Sequence, residues 1–166
     1  MTNETPIARV WDLIENAGVA MLTTRFAGGL RARPLEPRAD RDAGLIWFVI
    51  DVRGHKDDEI DAVHDVGFVL IDEKARAYLS ITAKATVTRH RTKAKAVWRK
   101  SDDVWWPGGP DDPNMCLLRV EPITAELWDG PASSAVAAFE FAKARLTGEK
   151  PNLGENRKVT VAMRDS

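Results

Sequence analysis

The chain has 166 residues, 44% of them hydrophobic and 30% charged, with a formal net charge of −1. That length corresponds to one domain, with enough apolar side chains for a proper core. Near-neutrality excludes a global field that would draw nucleic acid or an acidic membrane, so any anion site has to be local.

In chain order, "TPIARVWDLIENAG" places Ile7, Val10, Trp11 and Ile14 at helical spacing, with Pro6 near the first turn and Gly18 just beyond. Short β-like runs follow at 19–25, 30–38 ("LRARPLEPR") and 45–51 ("LIWFVID"), separated by "AGG" and "DRDAG". Further runs lie at 66–72, 77–89, 115–121 and 123–129, the last two separated by Pro122. Helical segments are predicted at 56–65, 92–100 and 133–146. His64 falls on the first of these, and Ser133 and Ser134 form an N-cap for the last. Connections this short demand antiparallel neighbours, because a parallel crossover needs a dozen or more residues. The expectation is one α+β, mainly β domain over 1–166, with a barrel-like core at about 7–130 and a C-terminal helix and tail at 131–166.

Cys116 is the single cysteine, so there is no internal disulfide and no Cys-rich zinc site. Within the apolar "MCLLRV" it reads as a buried, inert thiol. No run approaches the roughly 18 apolar residues of a membrane span, and the N-terminus has no signal-type apolar core. A cytoplasmic protein with no membrane partner is expected.

The 30–38 run carries the first chemical signal. Strand alternation puts Arg31 and Arg33 on one face, an arrangement suited to an anion. The next run, "LIWFVIDVRGHKDDEI", passes from an apolar strand into a polar loop with Arg53, Gly54, His55 and Lys56. A helix start there offers free N–H groups, Gly54 permits close backbone approach and Lys56 adds a point charge. Six tryptophans is a high number for this length; packing accounts for most, and Trp105 or Trp106 are the stronger candidates for a site. The basic stretch 84–100 could touch nucleic acid, but the acidic "SDD" follows at once and a solvated surface is the simpler reading. His64 and His90 have no second ligand at metal-binding spacing, and no nucleophile motif is present.

Taken together, "MLTTR…GGLRARPLE…GLIWFVIDVRGHKDDEI", "VWWPGGPDDPNMCLLRVEPITAELWD" and "LGENRKVTV" resemble the FMN-binding split-barrel proteins related to pyridoxamine 5′-phosphate oxidase. The resemblance runs from about residue 7 to 161 and is nearest the bacterial general-stress-protein branch. It implies a six-stranded antiparallel split barrel with flanking helices, forming a homodimer with a flavin at each of two interface sites. Arg31 and Arg33 would be the polar contributors, with Pro34 and Leu35 beside the ring. Val49 and Ile50 would border the isoalloxazine, and Gly54, His55 and Lys56 would hold the phosphate. Ile50 stands where many relatives have Thr, and His55 where Arg or Ser is commoner. The cofactor implied is FMN, with FAD or a deazaflavin as variants. The long C-terminal substrate portion of pyridoxamine-phosphate oxidases has no counterpart, so vitamin B6 oxidation is not expected. The function implied is flavin-dependent redox chemistry linked to stress. The alternatives are a non-catalytic flavin storage or sensing module and, from the basic stretch, a nucleic-acid-binding barrel.

Overall fold

The computed structural model describes residues 5–54, 60, 64–129, 134–149 and 157–163. Helix α1 (Pro6–Asn16) starts where Thr5 Oγ1 accepts the Ala8 N–H at 3.3 Å. It buries Val10, Trp11, Leu13 and Ile14, whereas Ile7 is left partly exposed. The buried stripe of a surface helix is wide enough for Leu13 to take that place.

Eight strands among the described residues make one antiparallel sheet. They are β1 (Ala20–Phe26), β2 (Gly29–Leu35), β3 (Arg38–Asp40), β4 (Leu45–Asp51), β5 (Asp65–Asp72), β6 (Ala77–Thr88), β7 (Met115–Asp129) and β8 (Arg157–Ala162). The order is β2-β1-β5-β6-β7-β4-β3, with β8 also on β7. The long strand β7 divides the sheet. Its first half pairs with β4, its second half with β8, and β6 runs along its other side. This is the split-barrel form of an α+β fold. Six principal strands are extended by the short β3 and the C-terminal β8. Helices α2 (Arg91–Val97) and α3 (Ser134–Thr147) complete it. No helix among the described residues is long and apolar enough to cross a membrane.

Several boundaries differ from the sequence expectation, each for a local reason. The 30–38 run is two strands. Pro37 has no N–H for a ladder, so β2 ends at Leu35 and pairs with β1, while β3 begins at Arg38 and pairs with β4. The runs on either side of Pro122 are one strand: Pro122 pairs with Ala83, and the register slip between Thr82 and Ala83 leaves Ile123 beside it as the extra residue of a bulge. The third helix predicted, 92–100, stops at Val97 and resumes as a 3₁₀ turn at Lys100–Val104. Most of the 56–65 segment lies outside the described residues; Ile60 is helical and fully buried. His64 is not helical. It precedes β5, and its carbonyl accepts the Ala85 N–H at 2.8 Å. Ser133 also lies outside the described residues. Between β3 and β4 the chain turns at Gly44, whose φ of +64° needs no Cβ penalty and whose N–H reaches Arg41 O at 3.1 Å.

The main core lies inside the sheet and includes Ile14, Leu22, Phe48, Phe68, Leu79, Ile81 and Leu118, with Cys116 buried beside it. Phe48 meets Phe68 edge-on at 5.7 Å between ring centroids. Phe48→Ala removes a fully buried ring and leaves a cavity, which costs about 3–5 kcal/mol. Urea unfolding followed by circular dichroism is expected to show that loss; a loss below about 1 kcal/mol would mean that the site collapses around the deletion.

Candidate functional site

Strand β4 is apolar on both faces. Ile46, Phe48 and Ile50 enter the main core, while Trp47 and Val49 point the other way into a second cluster with Ala94, Trp106, Met115 and Leu117. Both faces therefore need cover. The second cover is the excursion between β6 and β7, residues 89–114, which carries α2 and the Lys100–Val104 turn. Within it Trp98 and Trp106 meet edge-on at 6.1 Å.

A cleft of about 480 Å³ opens where these covers end. Its lining comprises Val19, the end of β2 and its exit (Pro34, Leu35, Glu36), Arg38, the end of β4 (Val49, Ile50, Asp51), and Asp102, Trp105 and Trp106. The topology explains the site. The register of β3 with β4 stops at Arg38↔Trp47, so beyond Trp47 one edge of β4 has no strand beside it among the described residues. Val49 and Ile50, on opposite faces of the strand, can both reach the cleft for that reason. The cleft thus offers apolar walls beside a strand edge that no other strand covers among the described residues.

Its charges are mostly matched internally. Arg38 is buried and donates from Nη2 to Asp102 Oδ1 at 2.7 Å and from Nη1 to Glu36 O at 2.7 Å. The Asp102 carboxylate also accepts the Arg99 N–H at 2.8 Å, and its carbonyl accepts the Trp105 and Trp106 N–H groups at 3.0 Å each. At the far end Arg53 donates from Nε to Asp51 Oδ1 at 2.9 Å, and this partnership pushes the guanidinium pKa still higher. Two buried donors of the cleft lining, Arg38 Nε and Trp106 Nε1, have no hydrogen-bond partner among the described residues.

Of the residues singled out from the sequence, Pro34, Leu35, Val49, Ile50, Trp105 and Trp106 line this one cleft. Trp106 is also a packing residue of the second cluster, while Trp105 stands exposed at the mouth. Arg31 and Arg33 do not line it. They pair across β1 from Thr24 and Leu22, share a face with Leu35 and continue away from the cleft along β2. Arg31 lies over the Phe26 ring at 4.3 Å, and Arg33 Nη1 donates to Thr24 Oγ1 at 2.9 Å. Gly54 ends the 3₁₀ turn Val52–Gly54 that follows β4; His55 and Lys56 lie outside the described residues. Sequence reasoning missed Glu36, Arg38, Asp51 and Asp102. The available signal was the alternation of charge at 36, 38 and 40, passed over because Arg38 ends a run read as one strand. The basic stretch is met by acids from elsewhere: Lys84 by Asp65 at 2.7 Å, Arg91 by Asp111 at 2.9 Å and Lys93 by Asp40 at 2.8 Å.

A family model described as pyridoxamine 5'-phosphate oxidase like matches residues 5–152. The chain belongs to that family, as its motifs suggested. Among solved structures, a candidate general stress protein 26 from Jannaschia sp. CCS1 is 30% identical, covering 93% of this chain and 95% of that one at a TM-score of 0.73. General stress protein 26 from Bacillus anthracis is 17% identical over 73% of this chain and 92% of that one, with a TM-score of 0.66. A protein from Xanthomonas citri described as a general stress FMN/FAD binding protein is 24% identical, covering 73% and 86% at a TM-score of 0.60. The latter two share the fold. No curated protein matches the chain.

The hydrogen bond from Lys93 holds the Asp40 carboxyl below its ordinary value of 3.8. The folded pKa is depressed, so the pair's stabilisation is complete well above 3.8, declines as pH falls below the unfolded value, and is gone below the folded one. Asp40→Asn removes that contribution. Urea titrations between about pH 5 and 2 are expected to show a shallower acid decline for Asp40→Asn than for the parent. Parallel curves would show that the pair contributes nothing.

Proposed function

We propose that this chain binds flavin mononucleotide, with the ring in the cleft and the phosphate outside it, and works as a flavin-dependent redox protein in a homodimer. The observation that carries this reading is the pairing of apolar walls, in one cleft of about 480 Å³, with a strand edge that has no strand beside it among the described residues. That volume lies within the ~300–1,000 Å³ of small-molecule sites. The residues fit the group in parts. Val49, Ile50 and Leu35 supply hydrocarbon, Trp106 an indole, and the β4 edge backbone donors and acceptors for a pyrimidine rim. The Xanthomonas citri protein of the same fold, described as FMN/FAD binding, supports the choice of ligand class.

The cleft itself is a poor place for a phosphate. Glu36, Asp51 and Asp102 line it, and Arg38, the one lining cation among the described residues, already faces two of those carboxylates. A dianion is therefore directed outward. Along β2 the face of Leu35 continues to Arg33 about 7 Å away and to Arg31 about 14 Å away, at the rise of an extended strand. A ribityl chain can bridge the nearer of these distances. Thr24 is a neutral partner for Arg33, and a phosphate would be a stronger one. Gly54, His55 and Lys56 are the second group proposed for the phosphate, on the resemblance of that loop. Val19 and Trp105, exposed at the cleft, and Val104 next to Trp105 in the chain offer apolar surface that a second copy would cover. When bound, the flavin supplies hydride chemistry at N5; the chain's residues hold the ring, exclude water and orient its edge.

The test compares ligands. Arg33→Ala and Lys56→Ala are each expected to weaken FMN by about 10- to 150-fold, as loss of a charge-assisted hydrogen bond does, while leaving riboflavin almost unchanged. Equal losses for both ligands would remove these residues from the phosphate site. Rapid bleaching of the FMN-loaded protein by NAD(P)H or another physiological donor supports turnover. If no donor reduces it, storage or sensing is the function.

A further inference from the structure

Beyond the proposed ligand contacts, β3 and its approach carry a regular pattern of charge. Glu36, Arg38 and Asp40 alternate in charge at every second residue, and each meets an opposite charge on the 89–114 excursion. Arg99 Nη1 reaches Glu36 Oε2 at 3.2 Å, Asp102 Oδ1 reaches Arg38 Nη2 at 2.7 Å, and Lys93 Nζ reaches Asp40 Oδ2 at 2.8 Å. The central pair is buried, with side chains 7% exposed on both sides, while the outer pairs are more open. A slip of β3 by two residues would set like charges against each other, so the pattern admits one docking register.

We infer that these pairs form an ionic latch, with Arg38 and Asp102 as positioning residues for the indole wall of the cleft. Asp102 is the junction. Its carboxylate binds Arg38 and the Arg99 N–H, and its carbonyl binds the Trp105 and Trp106 N–H groups. The position of the guanidinium is thereby passed through one residue to both tryptophans. Arg38 also separates the cleft from a second depression of about 290 Å³ lined by Glu15, Ala39, Val97 and Trp98. The latch itself is independent of the ligand; its effect on affinity rests on the flavin reading.

Hydrogen exchange on the full chain without flavin tests the latch. In Arg38→Met, amides of Arg99–Trp106 are expected to exchange more than about tenfold faster, because Asp102 is left as a buried, unpaired charge. Arg38→Lys, which keeps the charge, should restore most of the protection. Lys93→Met loses an outer pair and its contact with the Trp47 ring, and Glu36→Gln loses an outer pair and the weaker 3.5 Å contact with Arg38. Both keep the Arg38–Asp102 pair, and each should accelerate the same amides about 2- to 5-fold. Exchange in β5 and β6 should stay at the parent rate throughout. Unchanged excursion amides, or acceleration spread equally over β5 and β6, would overturn the latch. If Arg38→Met does not fold, the two outer variants and Arg38→Lys decide the question on the same readout. Riboflavin affinity, measured on the same variants, is expected to fall in proportion to the exchange. Loosened exchange with unchanged affinity would sink the positioning role. Absence of flavin binding in the parent would sink the flavin reading instead and leave the exchange result standing.

Discussion

A strand that is apolar on both faces has to be covered twice, and in this chain that strand is β4. Ile46, Phe48 and Ile50 bury against the inside of the sheet, and Trp47 and Val49 bury beneath the excursion that carries Trp106. Burial of this kind is the dominant favourable term in folding, so the two covers are obligatory rather than decorative. The cleft is what remains at the end of the strand, after β3 has stopped pairing and before the chain turns away at Val52. Its hydrocarbon walls, and a strand edge with no strand beside it among the described residues, are both consequences of where two layers of cover run out.

Charge plays a different part. The excursion could lie over β4 by apolar contact alone, but apolar contact is non-directional. The alternating pairs at Glu36, Arg38 and Asp40 supply direction. Burying Arg38 and Asp102 together gains little stability over a well-packed apolar pair, so their value lies in fixing one geometry. Lys93 adds to this by lying 5.2 Å from the centre of the Trp47 ring, which binds the excursion to β4 as well as to β3.

Much of this was legible in the sequence where the signal was local. Strand alternation, turn residues and short connections gave the antiparallel, mainly β architecture, and the order of motifs gave the family. Val49 and Ile50 could be named through the family resemblance, whose motif there, an apolar run followed by a Gly-containing loop, is local. The break at Pro37 was also locally encoded but was overridden by reading 30–38 as one run. What could not be read were pairings across long stretches of chain. Arg38 and Asp102 are 64 residues apart, and nothing near either of them marks an arginine as buried rather than solvated. The same holds for Arg31 and Arg33. Alternation placed them on one face, but only the register with β1 shows that this face leads away from the cleft.

The most direct measurement is a crystal structure of the protein grown with FMN. The tricyclic ring is expected against Val49 and Ile50, with its pyrimidine rim on the open edge of β4 and its phosphate outside the acidic cleft. Density for the flavin anywhere that leaves these walls bare, or a phosphate seated among Glu36, Asp51 and Asp102, would contradict that placement.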